Sequence, residues 1–338
     1  MLPKSRIFSV LLLGLGVALV AAGIVAPAFL NYNARMPLDL EKSTWTLHDE
    51  SGHARILSEE GEEPYEGPLT YQLHMDVQNP ADEDNATIRV GESTMRGQGE
   101  GLEDLASAKV WTYSMDRLTG EAVTPANLSH TIASPSDEVP IEGYWMKFPA
   151  DAEQTTYPVF DPTLRQARDA VFQEEMDIEG RTVYRYHQEI EPVNVATLYS
   201  ALGTTTQLEG EEEGETEQGY LYHSGTRDYF VDQETGMIVG LEVAIDDYYG
   251  DRAGVGKERA FVFEGATSEE ERAELLAQAD EFHNPVAANI ARWVAIIVGA
   301  ILILIGLLGA FGAFGGKKSQ GKRPKGSHRK GNSVPVSK

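Results

Sequence analysis

Leu69-Thr-Tyr-Gln-Leu-His-Met-Asp-Val77 sets apolar side chains at its odd positions and polar ones between them. A period of two belongs to a strand with one face in a core and the other in water. Related runs occupy 109–115, 144–148, 182–190, 219–223, 227–231, 237–245 and 258–263. Turn-forming residues separate them. The expected fold is therefore mainly β (α+β), an extracytoplasmic domain of antiparallel sheets rather than βαβ units.

An internal echo refines this. Tyr113-Ser-Met-Asp-Arg-Leu-Thr-Gly-Glu-Ala-Val123 and Tyr229-Phe-Val-Asp-Gln-Glu-Thr-Gly-Met-Ile-Val239 share Y-x-x-D-x-x-T-G-x-x-V. That pattern reads as strand, turn, strand. Asp116 and Asp232 open the turns, and Gly120 and Gly236 take a left-handed position. Upstream, Tyr71-Gln-Leu-His-Met-Asp-Val77 matches Tyr184-Arg-Tyr-His-Gln-Glu-Ile190. Two matches in one order suggest two related lobes, 40–140 and 141–265; chance recurrence of a common hairpin turn is the alternative.

Outward from this domain lie two uncharged runs, 7–30 and 293–314. At ~1.5 Å per residue each is long enough as a helix to cross a ~30 Å hydrocarbon core. Lys4 and Arg6 precede the first run, and a Gly-rich tail at 315–338 with eight Lys or Arg follows the second. The positive-inside rule then puts both termini, 1–6 and the disordered tail, in the cytoplasm. The expected location is the inner (plasma) membrane, with 31–292 outside. Ala26-Pro27-Ala28 leaves cleavage of the first run as a signal peptide open. Glycines in both runs allow the helices to pair closely. Ser268-Glu-Glu-Glu271 opens a juxtamembrane helix over 268–292, with a kink at Asn284-Pro285.

Charge is segregated. The segment 31–292 holds 18 Lys and Arg against all 53 acids, a formal −35. Such a field repels nucleic acid and concentrates cations. The chain has no cysteine, which excludes thiol chemistry and disulfides. No nucleophile elbow, phosphate loop or zinc-protease motif occurs, so no catalytic residue, metal or cofactor is assigned. His74 and His187 sit at matched strand positions, and Asp82-Glu-Asp-Asn85 and Asp246, Asp247 and Asp251 are acidic loops. Surface and turn roles suit these better than metal ligation. Asn85-Ala-Thr87 and Asn127-Leu-Ser129 fit the glycosylation sequon.

Aromatic residues concentrate in one stretch: Tyr144, Trp145, Phe148, Tyr157, Phe160, Tyr184 and Tyr186. They can line an apolar groove for a lipid or simply form core.

Met36-Pro-Leu-Asp-Leu40 after the first run, Tyr157-Pro-Val-Phe-Asp-Pro162, Gly180-Arg-Thr-Val-Tyr-Arg-Tyr186 and Tyr229-Phe-Val-Asp-Gln-Glu-Thr-Gly236 stand in this order. They resemble an actinobacterial family of two-span membrane proteins with a large periplasmic domain, often labelled the porin PorA family. The resemblance covers most of 1–310 and implies a role in the cell envelope, in some members in lipomannan and lipoarabinomannan assembly. It supplies no catalytic residues. The expected function is a non-enzymatic accessory that binds or presents a membrane lipid or lipid-linked glycan. A scaffold for envelope-biosynthesis membrane proteins stands second and a pore-former third.

Overall fold

The computed structural model describes residues 4–25, 35–58, 61–97, 99, 101–130, 135–210, 215–279 and 285–310. The basic tail, the 26–28 motif, Asn284 and the middle of the acidic loop at 209–217 lie outside them. The chain divides into two compact units, Leu30–Asn289 and the terminal segments Met1–Phe29 with Ile290–Lys338.

The larger unit is built on one antiparallel sheet. Its first six strands are β1 (Thr44–Ser58), β2 (Gly61–Ala81), β3 (Asn85–Arg96), β4 (Leu105–Asp116), β5 (Ala126–Ser129) and β6 (Asp137–Val139). Then come β7 (Thr156–Asp161), β8 (Gln166–Ile178), β9 (Arg181–Asn194), β10 (Thr205–Glu209), β11 (Thr216–Asp232), β12 (Ile238–Gly250) and β13 (Gly256–Ala266). The order is β6-β5-β4-β3-β2-β1-β13-β12-β11-β9-β8-β7, with β10 on β11. Nearly every neighbour is a chain neighbour, as short turns between amphipathic strands dictate. The exceptions are β9–β11, which skips β10, and the β1–β13 seam, which joins the two ends of the domain.

That seam is thin. Within the two strands His53↔Val262 and Ala54↔Phe261 pair across it, Leu47 bridges Thr267 just past β13, and Glu264 N donates to Asp49 Oδ2 at 2.8 Å. The chain at the start of β1 is met by side chains of α2 (Glu269–Ala279). Glu271 accepts from Thr46 N at 2.9 Å, and the Gln278 amide both accepts from Lys42 N and donates to Lys42 O. The helix start follows the sequence in part: Ser268 Oγ accepts from Glu271 N at 3.1 Å, while the Glu271 carboxylate goes to β1 instead of back to Ser268.

The sheet curls on itself. β4 and β7 are remote in strand order, yet Trp111 and Phe160 pack edge-on at 5.8 Å between centroids. Tyr144 ties the ends, bridging Glu121 antiparallel and Val159 parallel. The residues after it, 145–148, are all buried and pass through the interior. The sequence expectation of a strand at 144–148 fails there: only Tyr144 and Lys147 make ladder bridges. With core on both sides, this segment has no wet face to make the alternation meaningful.

The two halves differ in wiring. β3 separates β2 from β4, whereas β9 pairs β11 directly. Both upstream matches, 71–77 and 184–190, nevertheless lie in strands, β2 and β9.

Phe148 is fully buried and contacts Tyr157, Tyr186 and Tyr229 at 5.0–5.7 Å. Phe148→Ala is expected to lower the unfolding free energy by about 3–5 kcal/mol, measured by denaturant titration of the full chain in detergent.

Candidate functional site

The two echoed turns have the same construction. Asp116 N donates to Glu121 O at 2.9 Å and Gly120 N to Asp116 O at 2.9 Å. Asp232 N donates to Met237 O at 2.9 Å and Gly236 N to Asp232 O at 2.8 Å. Each aspartate accepts from the backbone N of the threonine three residues on, Thr119 at 2.8 Å and Thr235 at 3.0 Å. Each threonine hydroxyl accepts from the residue after the glycine. Gly120 and Gly236 have φ of 81° and 72°, where a side chain is strained.

Between these turns runs the segment from Lys147 to Ala152. Phe148 N donates to Gly236 O at 2.8 Å, Ala150 N to Leu118 O at 3.2 Å and Ala152 N to Gln233 O at 2.8 Å. A Cβ on Gly236 would lie 2.1 Å from Phe148 O, and one on Gly120 2.4 Å from Lys147 O. Lys147 itself is 1% exposed. Its Nζ donates to Leu118 O at 2.7 Å and Phe148 O at 2.9 Å. Burial pushes its pKa down to about 7, against a smaller opposing pull from Asp116.

A second buried polar centre lies among β7, β9, β11 and β12. His223 is fully buried, with Nδ1 2.6 Å from Asp247 and Nε2 3.3 Å from Asp161. Arg227 pairs with Asp161 at 2.5 Å. Sequence reading missed both centres. A single charged residue in a strand looks like surface until its partners, 24 and 62 residues away for His223, are known.

Among the described residues the aromatic stretch packs ring on ring. Trp145 packs on Trp111 at 5.4 Å and Phe160 at 5.3 Å, and Tyr157 and Tyr186 meet at 5.5 Å. Tyr144 and Tyr184 are half-buried around them. The void lined by Trp45, Trp145, Phe160 and Arg227 holds about 20 Å³. That is room for about one water and not for an acyl chain.

The polar candidates disperse. His74 Nδ1 meets Thr44 Oγ1 at 2.7 Å, and His187 Nδ1 meets Asp228 at 3.0 Å. Asp82 Oδ1 caps its own turn through Asp84 N and Asn85 N, and Arg35 pairs with Glu83 and Asp84. Asp247 points inward to His223, while Asp251 accepts from Ala253 N and Val255 N.

The smaller unit contains α1 (Lys4–Val25) and all of α3 (Pro285–Ala310) from Ile290 onward. Within them Phe8–Val25 and Ile290–Gly309 are long and apolar enough to cross a membrane. They pack antiparallel at glycines. A Cβ on Gly16 would lie 2.7 Å from Gly299 O, and one on Gly299 2.8 Å from Gly16 O. Arg292 Nε donates to Gly23 O at 3.0 Å. Away from this contact, bulky side chains such as Phe8, Leu11, Ile297 and Leu304 are exposed.

Two apolar helices enclosing a β-rich, acidic segment match one family, whose model, Porin PorA, covers residues 8–308. The chain belongs to the porin PorA family. Relatives include a porin PorA of Corynebacterium amycolatum, 28% identical over 189 residues, 54% of this chain and 48% of that protein. A porin PorA of Corynebacterium resistens is 24% identical over 152 residues, 42% of this chain and 36% of that protein. The chain thus spans about half or less of the length of the relatives it matches. These names overturn the lipid-presenting accessory expected first, and the filled PorA core gives the physical reason: the aromatic rings pack on one another.

Two outcomes test the turns and the buried amine. Gly236→Val is expected to cost more than about 1 kcal/mol, from φ strain and contact with Phe148 O, seen as a lower melting temperature. Lys147 has a depressed folded pKa, so its share of stability is full above 10.5 and falls as pH drops through about 7. Lys147→Met should flatten that rise when denaturation midpoints are compared across the range.

Proposed function

We propose that this PorA-family chain is a subunit of a cation-selective membrane pore. The observation that carries this reading is the backbone-to-backbone helix pair, apolar on its outer surface. Exposed bulky apolar side chains along both helices suit lipid and further helices, not water. A two-helix hairpin encloses no lumen, so the conduit in this reading is shared among copies.

The β domain does not supply a membrane-spanning wall. β8 exposes Asp169, Glu174, Glu175 and Asp177, where a lipid-facing transmembrane strand carries apolar side chains. Its role here is electrostatic. Tethered through both ends, a segment of formal charge −35 raises the local cation concentration and disfavours anions. By the positive-inside rule both termini are cytoplasmic and the domain lies outside the plasma membrane. The names of the two Corynebacterium relatives support the pore-forming half of the reading.

Purified full-length protein in planar bilayers tests it. Stepwise conductance is expected, with a reversal potential under a KCl gradient displaced toward that of potassium. Gly299→Leu, which puts a bulky side chain where a Cβ already meets Gly16 O, should abolish the steps and leave the thermal transition of the β domain in place. Silent bilayers, or anion selectivity, would refute the proposal.

A further inference from the structure

Both ring nitrogens of His223 face carboxylates: Nδ1 faces Asp247 Oδ1 at 2.6 Å and Nε2 faces Asp161 Oδ2 at 3.3 Å. An ionised carboxylate only accepts, and a neutral imidazole has only one N–H to give. The arrangement is satisfied when both nitrogens carry protons.

The carboxylates are fixed in their accepting form by other donors. Asp161 Oδ1 accepts from Leu164 N at 2.6 Å, and its Oδ2 pairs with Arg227. Asp247 Oδ1 also accepts from Ser224 N at 3.3 Å. Charge balance points the same way. Asp161 and Asp247 against Arg227 and a protonated His223 sum to zero in a region where His223 and Asp161 have no exposed surface. With a neutral ring the buried set carries an uncompensated negative charge, which is costly at low dielectric.

The set sits where the ladders are irregular. The β11–β9 register shifts between His223 and Gly225, and the β12–β13 register shifts between Asp247 and Tyr248. The ring therefore clamps two bulges and the turn after β7.

We infer that His223 is a fixed imidazolium, and that losing its proton is an alkaline switch that loosens β11 and β12 at these bulges. This stands apart from pore formation, because it concerns the β domain alone.

The surrounding groups permit such a switch. Beyond Arg227 lie Tyr71 of β2 and Tyr229 of β11, both held above the usual phenol range by burial. Lys109 and Tyr199 act on Asp161 from further off. Burial alone would lower the pKa of His223, but Asp161 and then Asp247 outweigh it and raise it to about 9. With a folded pKa above the unfolded 6.5, its stabilisation is full below 6.5 and is lost as pH rises through about 9. Lys147 changes stability in the opposite sense over part of this range. Its contribution is common to wild type and His223 variants and cancels in their difference.

Nitrogen NMR of histidine-labelled full-length protein in detergent reads the ring directly. Two protonated ring nitrogens are expected near neutral pH, with a titration midpoint near 9. Amide exchange at 222–225 and 246–249, corrected for its intrinsic pH dependence, should rise at least about tenfold through that midpoint. The rise should vanish in His223→Gln. Asp247→Asn, which keeps the histidine, should move the midpoint down by about one unit or more. A neutral ring at neutral pH, exchange without an inflection, or an unmoved midpoint in Asp247→Asn would overturn the inference.

Discussion

One backbone crossing organises the β domain. The segment from Tyr144 to Ala152 runs between two turns of identical construction, and each turn brings a glycine to within a methyl's width of it. A curled sheet with free ends has unpaired edges, and edges must be covered or closed. Tyr144 provides the closure, bonding toward Glu121 on one side and Val159 on the other. The side chains that follow fill the interior, so the element that closes the sheet also supplies its core. The cost is Lys147, whose amine is buried with that segment and satisfied by carbonyls of the turn and of the segment itself.

Much of this was legible in the sequence. Alternation located β2, β4 and β9, which set a buried face against a wetter one, and β12, whose sequence alternates although only Asp246 along it is exposed. The D-x-x-T-G pattern located both turns, because aspartate and a left-handed glycine have few other uses together. Other strands were hidden for physical reasons. β1 slips register between Asp49 and Gly52, which breaks its pattern. β3 alternates until Glu92, a buried carboxylate that accepts from Trp111 Nε1 at 3.3 Å. β8 exposes charged residues and carries few apolar side chains. The aromatic stretch was read correctly as a cluster and wrongly as a lining, since composition does not distinguish rings around a space from rings on rings.

A porin name invites the picture of a strand-walled channel. This chain separates the tasks. Its strands close on a packed interior and turn carboxylates outward, while its apolar surface belongs to two helices. In the pore proposed here, selectivity comes from fixed charge near the conduit, and the wall comes from helices held together where glycine lets main chains touch.

The thin seam between β1 and β13 has a mechanical consequence. The strands are antiparallel, so Thr44 and Ala266 lie at the same end of the seam, and the chain continues from there toward the two apolar helices. Tension that draws the helices apart is therefore applied as peeling, which breaks contacts one after another, and not as shear, which loads them together. On the N-terminal side the load first meets Arg35 on Glu83 and Asp84 and Met36 on Arg117. Along the seam it then meets the Gln278 amide on Lys42, Glu271 on Thr46, Leu47 with Thr267, Asp49 on Glu264, and last His53 and Ala54. Both connections to the helices thus leave from one end of this seam.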